Sequence, residues 1–190
     1  MSTTTPAPVV QQEQIVTSSL ARQVLAALRI MFGLTFLWAF FDKLLALGFA
    51  TGRSVDPKTG QEVLDRFGDA AWINGGSPTL GFLKFGADGP FKGFWNSIAG
   101  QWWADWGFMI ALLLIGVAFT FGAGMKLAGW GGLALYVLMW TVALPPANHP
   151  VLDEHLLGGV TMLALALLYA GDTWGLGKWW STKVGDGILR

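Results

Sequence analysis

Long, predominantly apolar stretches alternate with shorter polar ones along this chain. Four of them, residues 20–50, 106–124, 127–144 and 153–171, are close to or above the roughly 20 residues that a helix needs to cross a bilayer. A helix in a soluble core would carry a polar stripe at helical spacing, and the stretch GFMIALLLIGVAFTFGAG shows no such stripe. The pattern therefore predicts an all-α membrane protein, a four-transmembrane-helix bundle, in which the glycines of GWGGL and LGGV mediate close helix contacts.

The segment between the first two predicted spans, residues 51–105, is long enough to have structure of its own. Its part GQEVLDRFGDAAW has a helical apolar pattern, formed by Val63, Leu64, Phe67 and Ala71. The Gly- and Pro-rich part that follows is predicted to be rich in turns, and FWNSIAGQWWADW to lie in the membrane interface as it approaches the second span. Because the segment is rich in aromatic residues, we expect it to cap the outer end of the bundle rather than to form a mobile linker.

The composition supports a membrane location. Apolar residues make up 53% of the 190 positions and charged residues 13%, with a mean hydropathy of +0.50. Most of the 11 tryptophans flank the predicted spans, namely Trp95, Trp102, Trp103, Trp106, Trp130, Trp174, Trp179 and Trp180. Tryptophan prefers the membrane–water boundary, because its ring is apolar and its N–H needs a partner. The chain is therefore predicted to bind the lipid bilayer as a multi-pass protein.

The distribution of lysine and arginine predicts the orientation of the spans. These residues flank or open the first span, separate the second from the third and follow the fourth, at Arg22, Arg29, Lys126, Lys178, Lys183 and Arg190. The link PPANHPV between the third and fourth spans has neither. Since cytoplasmic flanks carry the excess of these residues, both termini are predicted to be cytoplasmic and residues 51–105 to lie outside the cell membrane. Residues 1–19 are expected to be a disordered tail, residues 20–180 the membrane domain and residues 181–190 a cytoplasmic tail.

Residue counts exclude or disfavour several chemistries. With no cysteine, the chain can form no disulfide, thiol nucleophile, Cys-ligated zinc site, iron–sulfur cluster or covalently attached haem. The only histidines, His149 and His155, are close in sequence across Pro150, so a haem held by both is not expected. A metal site of His149, Asp153 and His155 is an alternative, but Asp153 and Glu154 are explained more simply as acids near a helix N-terminus. Zero net charge offers no basic surface for nucleic acid.

One pair of charges stands inside an apolar run. In WAFFDKLLALG, Asp42 and Lys43 lie about eight residues before the end of the first predicted span, roughly 12 Å deep at 1.5 Å per residue. Neighbouring helical positions point in different directions, so the two side chains do not pair well with each other. Because an unpaired charge at this depth is costly, each is expected to face a partner in the bundle interior.

The candidate partners at this depth belong to three predicted helices. They are Trp38, Trp140, Asp153, Glu154 and His155. Lys43 is predicted to pair with one of the two acids, and Asp42 with the imidazole or with an indole N–H. One interpretation is an ion pair that only sets the helix register. The other is an outward-opening cavity that holds a polar headgroup or a quinone ring, in which carboxylate and imidazole relay protons.

Three stretches resemble a known family. LRIMFGLTFLWAFFDKL resembles the first membrane helix of the DoxX/DoxD superfamily, with Arg29, Gly33 and Lys43 at characteristic positions. HLLGGVTMLALALLYAGDTWGLGKWW is similar to the last helix of that family and its glycine-rich exit, and GGSPTLGFLKFGADGPF is similar to outer loops of DoxD-like members. The resemblance covers about residues 20–180.

The resemblance implies a four-helix membrane bundle with a redox role. DoxD-type members form the membrane part of thiosulfate:quinone oxidoreductase, which joins two thiosulfates into tetrathionate and reduces quinone. Other DoxX members belong to membrane oxidoreductase assemblies that handle thiol or oxidative stress. We therefore expect a membrane subunit of a quinone-linked oxidoreductase, with thiosulfate or a similar sulfur donor as reductant, quinone as cofactor and a second oxidoreductase subunit as partner.

On this hypothesis the catalytic residues are Asp42, Lys43, Asp153, Glu154 and His155, and Trp38 and Trp140 line the quinone site. The alternative hypothesis is a non-catalytic membrane subunit that anchors or assembles a respiratory or oxidative-stress complex. A homo-oligomer is compatible with both.

Overall fold

The computed structural model of the protein describes residues 9–190, and helices make up most of this length. The helices in this part of the chain are α1 Gln12–Ile15, α2 Ser19–Leu45, α3 Leu80–Phe85, α4 Lys92–Ile98, α5 Trp102–Phe121, α6 Met125–Val142, α7 Glu154–Leu167 and α8 Gly177–Val184. Two short 3₁₀ turns cover Trp72–Asn74 and Gly89–Phe91. One antiparallel hairpin, β1 Arg53–Val55 and β2 Glu62–Leu64, pairs Ser54 with Val63.

The four long helices α2, α5, α6 and α7 pack around one apolar core. The closest pairs are α2 with α5 and α6 with α7, and contacts of α5 with α6 and of α2 with α7 complete the arrangement. The buried core residues are Phe36, Met109, Leu112, Ile115, Phe119, Met125, Ala128, Met162, Leu165, Ala166 and Ala170. All four helices contribute residues to this core, so the core holds them together as one bundle.

The helices approach each other most closely at glycines. A Cβ atom on Gly116 of α5 would lie 2.9 Å from the backbone nitrogen of Leu37 on α2. A Cβ on Gly129 of α6 would lie 2.7 Å from the Cβ of Ala166. On α7, Gly159 faces the neighbouring helix α6 in the same way. The prediction that the glycines of GWGGL and LGGV mediate helix contacts is therefore confirmed.

Three of the helices, α2, α5 and α6, are long and apolar enough to cross a membrane. Large apolar side chains cover their outward faces, among them Met31, Leu34, Ile110, Leu114, Leu127 and Leu138. The fourth predicted span is apolar but forms a helix of only 14 residues, α7. It ends early because the chain turns at Tyr169, whose φ of 52° is incompatible with a right-handed helix.

The segment between α2 and α5 differs from its sequence-based prediction. The predicted helix in GQEVLDRFGDAAW is wrong, because Glu62–Leu64 pairs as a strand with Arg53–Val55 and Phe67 has a φ of 58°. The Gly- and Pro-rich part contains a helix, α3, as well as turns. The helix α5 starts at Trp102, so three of the tryptophans placed ahead of the second span, Trp102, Trp103 and Trp106, lie inside its first turns. The fourth, Trp95, belongs to α4 and is buried.

Both terminal segments pack against the bundle. Residues 1–8 lie outside the described residues. In the rest of the segment expected to be disordered, Gln12 is buried, its N–H donates to Asp172 Oδ2 (3.0 Å), and its Oε1 accepts from the Thr173 hydroxyl (2.6 Å). Arg190 is buried as well, and its carbonyl accepts from the Met125 N–H (2.7 Å). The last ten residues are therefore not a free tail.

A buried arginine joins three helices at this end of the bundle. Arg29 of α2 is fully buried, and its guanidinium donates to the carbonyls of Phe119, Thr120 (2.9 Å), Ala170 (3.1 Å) and Trp174 (3.0 Å). The first two belong to the last turn of α5 and the other two to the chain that follows α7. Helix C-termini leave such carbonyls without intrahelical donors and carry partial negative charge. A single cation therefore caps the end of α5 and binds the chain that follows α7 to it.

Arg29 should dominate the stability of the bundle. We expect Arg29→Met to lower the free energy of unfolding by roughly 3 kcal/mol or more, because several buried carbonyls lose their donor at once. The free energy of unfolding of Arg29→Lys should fall between those of the wild type and Arg29→Met, since an ammonium keeps the charge but has fewer hydrogen-bond donors than a guanidinium. Thermal unfolding in detergent micelles measures this order. A melting temperature of Arg29→Met equal to that of the wild type would contradict it.

Candidate functional site

The predicted site residues gather at the end of the bundle opposite Arg29. Here α2 and α6 finish and α5 and α7 begin, and we call this the Asp42 end and its opposite the Arg29 end. Asp42 and Lys43 lie in the last turn of α2, and Trp140 in the last turn of α6. Asp153 is the N-cap of α7, followed by Glu154 and His155 in its first turn.

Asp42 is buried and binds backbone amides. Its carboxylate accepts from the N–H groups of Phe49 (3.2 Å) and Ala50 (2.9 Å) in the loop that follows α2. The loop can fold back over Asp42 because Ala46 ends the helix in the left-handed conformation, with a φ of 51°. Asp42 is therefore three residues from the helix end rather than eight, and its predicted pairing with His155 or an indole N–H is wrong.

Lys43 is half-buried, and its ammonium lies 6.0 Å from the centre of the Phe108 ring. Among residues 9–190 no acid lies within ion-pair distance of it, so the predicted pair with Asp153 or Glu154 is not formed. The reason is that Asp153 is committed to the cap of its own helix, while Glu154 is exposed. Lys43 thus forms no ion pair within this part of the protein, although the Asp42 carboxylate is its neighbour along the helix.

Asp153 and His155 form a nearly buried carboxylate–imidazole pair. Asp153 Oδ1 accepts from the N–H groups of His155 and Leu156, both at 3.1 Å, which caps α7. Asp153 Oδ2 lies 2.7 Å from His155 Nδ1, and the two side chains are only 8% and 14% exposed.

The state of Asp153 decides which nitrogen of His155 is free. With Asp153 ionised, the short contact requires His155 Nδ1 to carry the hydrogen and to donate it. His155 Nε2 then remains to accept or release a proton. This is the arrangement by which a carboxylate orients an imidazole as a general base.

His155 faces the interior of the bundle. Its ring lies 6.0 Å from that of Tyr136 on α6, and Tyr136 lies 5.6 Å from Phe36 on α2, both edge to face. Gly158 makes room for the tyrosine, because a Cβ there would lie 3.1 Å from the Tyr136 ring. A row of aromatic rings therefore runs from α7 through α6 to α2 beneath the carboxylate–imidazole pair.

A cavity of about 310 Å³ opens beside this pair. It is lined by Ala143, Pro145, Pro146, Ala147, Asn148, Leu152, Asp153 and Glu154. The Trp140 N–H donates to the Val151 carbonyl (2.8 Å), which holds the link between α6 and α7 in place. The volume lies at the lower end of the range for small-molecule pockets.

The structure thus divides the predicted constellation into two groups. Asp153, Glu154, His155 and Trp140 lie together where α6 meets α7. Asp42, Lys43 and Trp38 belong to α2, where the Trp38 ring packs on Phe49 at 4.9 Å. No hydrogen bond or ion pair within residues 9–190 joins the two groups.

Two further residues at this end do not stand out in the sequence pattern. Tyr136 is one of two tyrosines in the chain, and its position inside an apolar helix is the only signal of a role. Asp105, in WWADW, is buried and accepts from the Ser77 hydroxyl (2.8 Å) and from the hydroxyl (2.6 Å) and N–H (3.1 Å) of Thr79. It fastens the chain ahead of α3 to α5.

His149 also has a local structural role. Its Nδ1 accepts from the N–H groups of Val151 (3.1 Å) and Leu152 (2.8 Å), which closes the turn before α7. Over the described length of the chain, no three His, Asp or Glu side chains are grouped in a way that could hold a metal ion.

The different partners of Asp42 and Lys43 predict opposite effects of replacing them. Asp42→Asn should lower the free energy of unfolding by about 1–3 kcal/mol, because the amide can accept from one loop N–H but opposes the other with its own donor. Lys43→Met should leave stability unchanged or raise it, since no buried acid is left without a partner. Melting temperatures in detergent test both variants. An equal loss for Lys43→Met would mean that an acid partner exists after all.

Comparisons with known proteins leave the chain unassigned, because no protein family, no characterised protein and no solved structure matches it. Inference about its function therefore depends on the chemistry of the Asp42 end.

Proposed function

We propose that this chain is a four-span membrane protein of the DoxX/DoxD type and the membrane subunit of a quinone-linked oxidoreductase. In this proposal α2, α5 and α6 cross the cell membrane, and α7 with the chain after it makes the fourth crossing. The helix α7 alone covers about 21 Å at 1.5 Å per residue. The irregular chain that follows can lie at membrane depth because Arg29 binds the carbonyls of Ala170 and Trp174.

The charges of the short links support an inward-facing Arg29 end. Lys126, Lys178, Lys183 and Arg190 all belong to segments at this end, together with both terminal segments of the chain. The link between α6 and α7, at the Asp42 end, has no lysine or arginine. Short cytoplasmic links carry the excess of these residues, so both termini are cytoplasmic and residues 46–101 lie outside.

The observation that carries the redox proposal is the carboxylate–imidazole pair beside the cavity. Reduction of a quinone to a quinol consumes two electrons and two protons. Asp153 and Glu154 line the cavity, and His155 is joined to it through its hydrogen bond with Asp153. In this proposal a proton held on His155 reaches a quinone oxygen along the carboxylate–imidazole pair, and ionised Asp153 stabilises the imidazolium that forms when the ring is reprotonated. In this role Asp153 positions the imidazole, and Glu154 at the cavity wall provides a second proton donor.

The electron donor in this proposal is thiosulfate or a similar sulfur anion. Two thiosulfate dianions that join through a new S–S bond form tetrathionate and release the two electrons that the quinone takes up, and a second oxidoreductase subunit would supply any further redox group. This chemistry needs no protein thiol, in keeping with a chain that has no cysteine. The ammonium of Lys43, which forms no ion pair among residues 9–190, suits a dianionic donor.

A second candidate function is a non-catalytic membrane subunit that anchors or assembles a respiratory or oxidative-stress complex. It is favoured by the structural use of most polar groups at the Asp42 end. Asp42 closes a loop, Asp105 fastens another, and Trp140 holds a third. Whether the purified protein alone changes the redox state of quinone in the presence of a sulfur donor distinguishes the two functions.

The proposed topology can be tested by cysteine labelling, because the chain has no native cysteine. Lys58→Cys, in the turn of the β-hairpin, and Lys183→Cys, in α8, both place the thiol at an exposed position. An impermeant maleimide added to intact cells should label the first and spare the second, and the parent protein should remain unlabelled. The reverse pattern would invert the topology, and labelling at both sites would mean an odd number of crossings.

The proton-relay role predicts that His155→Ala lowers the rate of quinone reduction about 100-fold or more. Asp153→Asn should lower it as well without loss of the helix, because asparagine is also a good N-cap but cannot stabilise an imidazolium by charge. The measurement is the rate of quinone reduction with thiosulfate in proteoliposomes, beside the melting temperature of each variant.

The matched control for the acid is Asp69→Asn, which changes an exposed aspartate outside the site and should leave the rate unchanged. Wild-type rates in both His155→Ala and Asp153→Asn would rule out the relay. A wild-type protein that is inactive alone and also in membranes that contain the second subunit would favour the non-catalytic function.

A further inference from the structure

The helices α3 and α4 form a small hairpin that is docked on the end of α6. Leu83, Ala87 and Trp95 pack with Val142, the last residue of α6, in a separate apolar cluster. The Asp88 N–H also donates to the Val142 carbonyl (3.3 Å). The position of this α3–α4 hairpin is therefore set by the Asp42 end of the bundle.

The α3–α4 hairpin also carries large aromatic side chains that the protein leaves uncovered. Phe85 is 81% exposed and Phe94 is 59% exposed, and Phe91 between them is exposed as well. Aromatic side chains of this size are seldom left exposed as a group unless the surface has an occupant.

The chain itself indicates that this occupant is lipid. Only three residues separate the end of α4 from Trp102, the first residue of α5, so the hairpin lies next to the level at which a bilayer-length helix begins. The first turns of α5 expose Trp102, Trp103 and Trp106, the residue type that prefers the membrane–water boundary. The exposed phenylalanines continue this tryptophan-rich surface along the chain.

The charges beside the phenylalanines fit lipid headgroups. Lys84 precedes Phe85 and Lys92 follows Phe91, and both lysines are exposed. Lys92 has a loose, exposed contact with Asp88 (3.7 Å), so its ammonium remains accessible. Lysines next to an inserted apolar face reach the phosphates of the lipids around it.

We propose that the α3–α4 hairpin is an interfacial membrane anchor, with Phe85, Phe91 and Phe94 among the acyl chains and Lys84 and Lys92 at the phosphates. Because the hairpin packs on the last residue of α6, the anchor fixes the Asp42 end at the surface of the outer leaflet. It rests on the bilayer-spanning part of the proposed function and is independent of quinone chemistry.

Spin labels on single cysteines test the proposal in the full-length protein, reconstituted into vesicles of phosphatidylcholine and phosphatidylglycerol. Phe85→Cys and Phe94→Cys probe the hairpin. Leu114→Cys, at a 62% exposed position on α5, is the lipid reference, and Lys58→Cys is the water reference. Oxygen concentrates among acyl chains and a nickel chelate stays in water. We expect the oxygen-to-nickel collision ratio at positions 85 and 94 to exceed that at 58 several-fold and to approach that at 114.

Each other outcome overturns the anchor in a distinct way. A water-like ratio at 85 and 94 beside a lipid-like ratio at 114 rejects the anchor and leaves the membrane helices standing. Low collision rates with both reagents at 85 and 94 mean that protein covers the face, either a second copy or a partner subunit. A water-like ratio at 114 rejects the membrane helices and the anchor together. If the melting temperature of one labelled variant is lower than that of the wild type, Phe91→Cys replaces that variant.

Discussion

The hydrogen bonds of Arg29 are the interaction on which the rest of this bundle depends. The carbonyls in the last turn of α5 and in the chain after α7 lack helical donors, and the buried Arg29 guanidinium supplies these donors in place of water. The same contact brings the segment after α5 close to the segment after α7. A Cβ on Gly122 would lie 2.8 Å from the Cα of Gly171, so only glycine allows the approach that lets one side chain reach both.

The two ends of the bundle use opposite charges for the same purpose. At the Arg29 end a cation binds carbonyls, and Asp172, which accepts from Gln12 and Arg190, fastens the terminal segments around it. At the Asp42 end acids bind amide N–H groups, since Asp42 and Asp153 each accept from two of them. Charge in this apolar chain therefore serves mainly to satisfy backbone groups that helices and loops leave unpaired.

Against this background, two groups stand out because backbone bonding does not consume them. His155 is held by Asp153 through one ring nitrogen only, and Lys43 has no acid partner within residues 9–190. Both lie at the end of the bundle that carries the cavity and the aromatic row. The proposed binding of a sulfur anion depends on Lys43 and the proposed proton relay on His155 together with Glu154, while Asp42 and Asp153 maintain the geometry around them.

The sequence by itself determined the features that depend on neighbours along the chain. Apolar runs predicted the three bilayer-length helices, glycine pairs predicted the helix contacts, and acids before an apolar run predicted the N-terminus of α7. Only the tertiary structure decided the partners. Arg29 binds carbonyls that lie 90 to 145 positions away, and Asp42 binds a loop whose return depends on the left-handed Ala46. Hydropathy and helix capping depend on residues that are close in sequence. The hydrogen-bond partner of a buried side chain depends instead on how loops bring distant segments together, and a local sequence pattern does not show this.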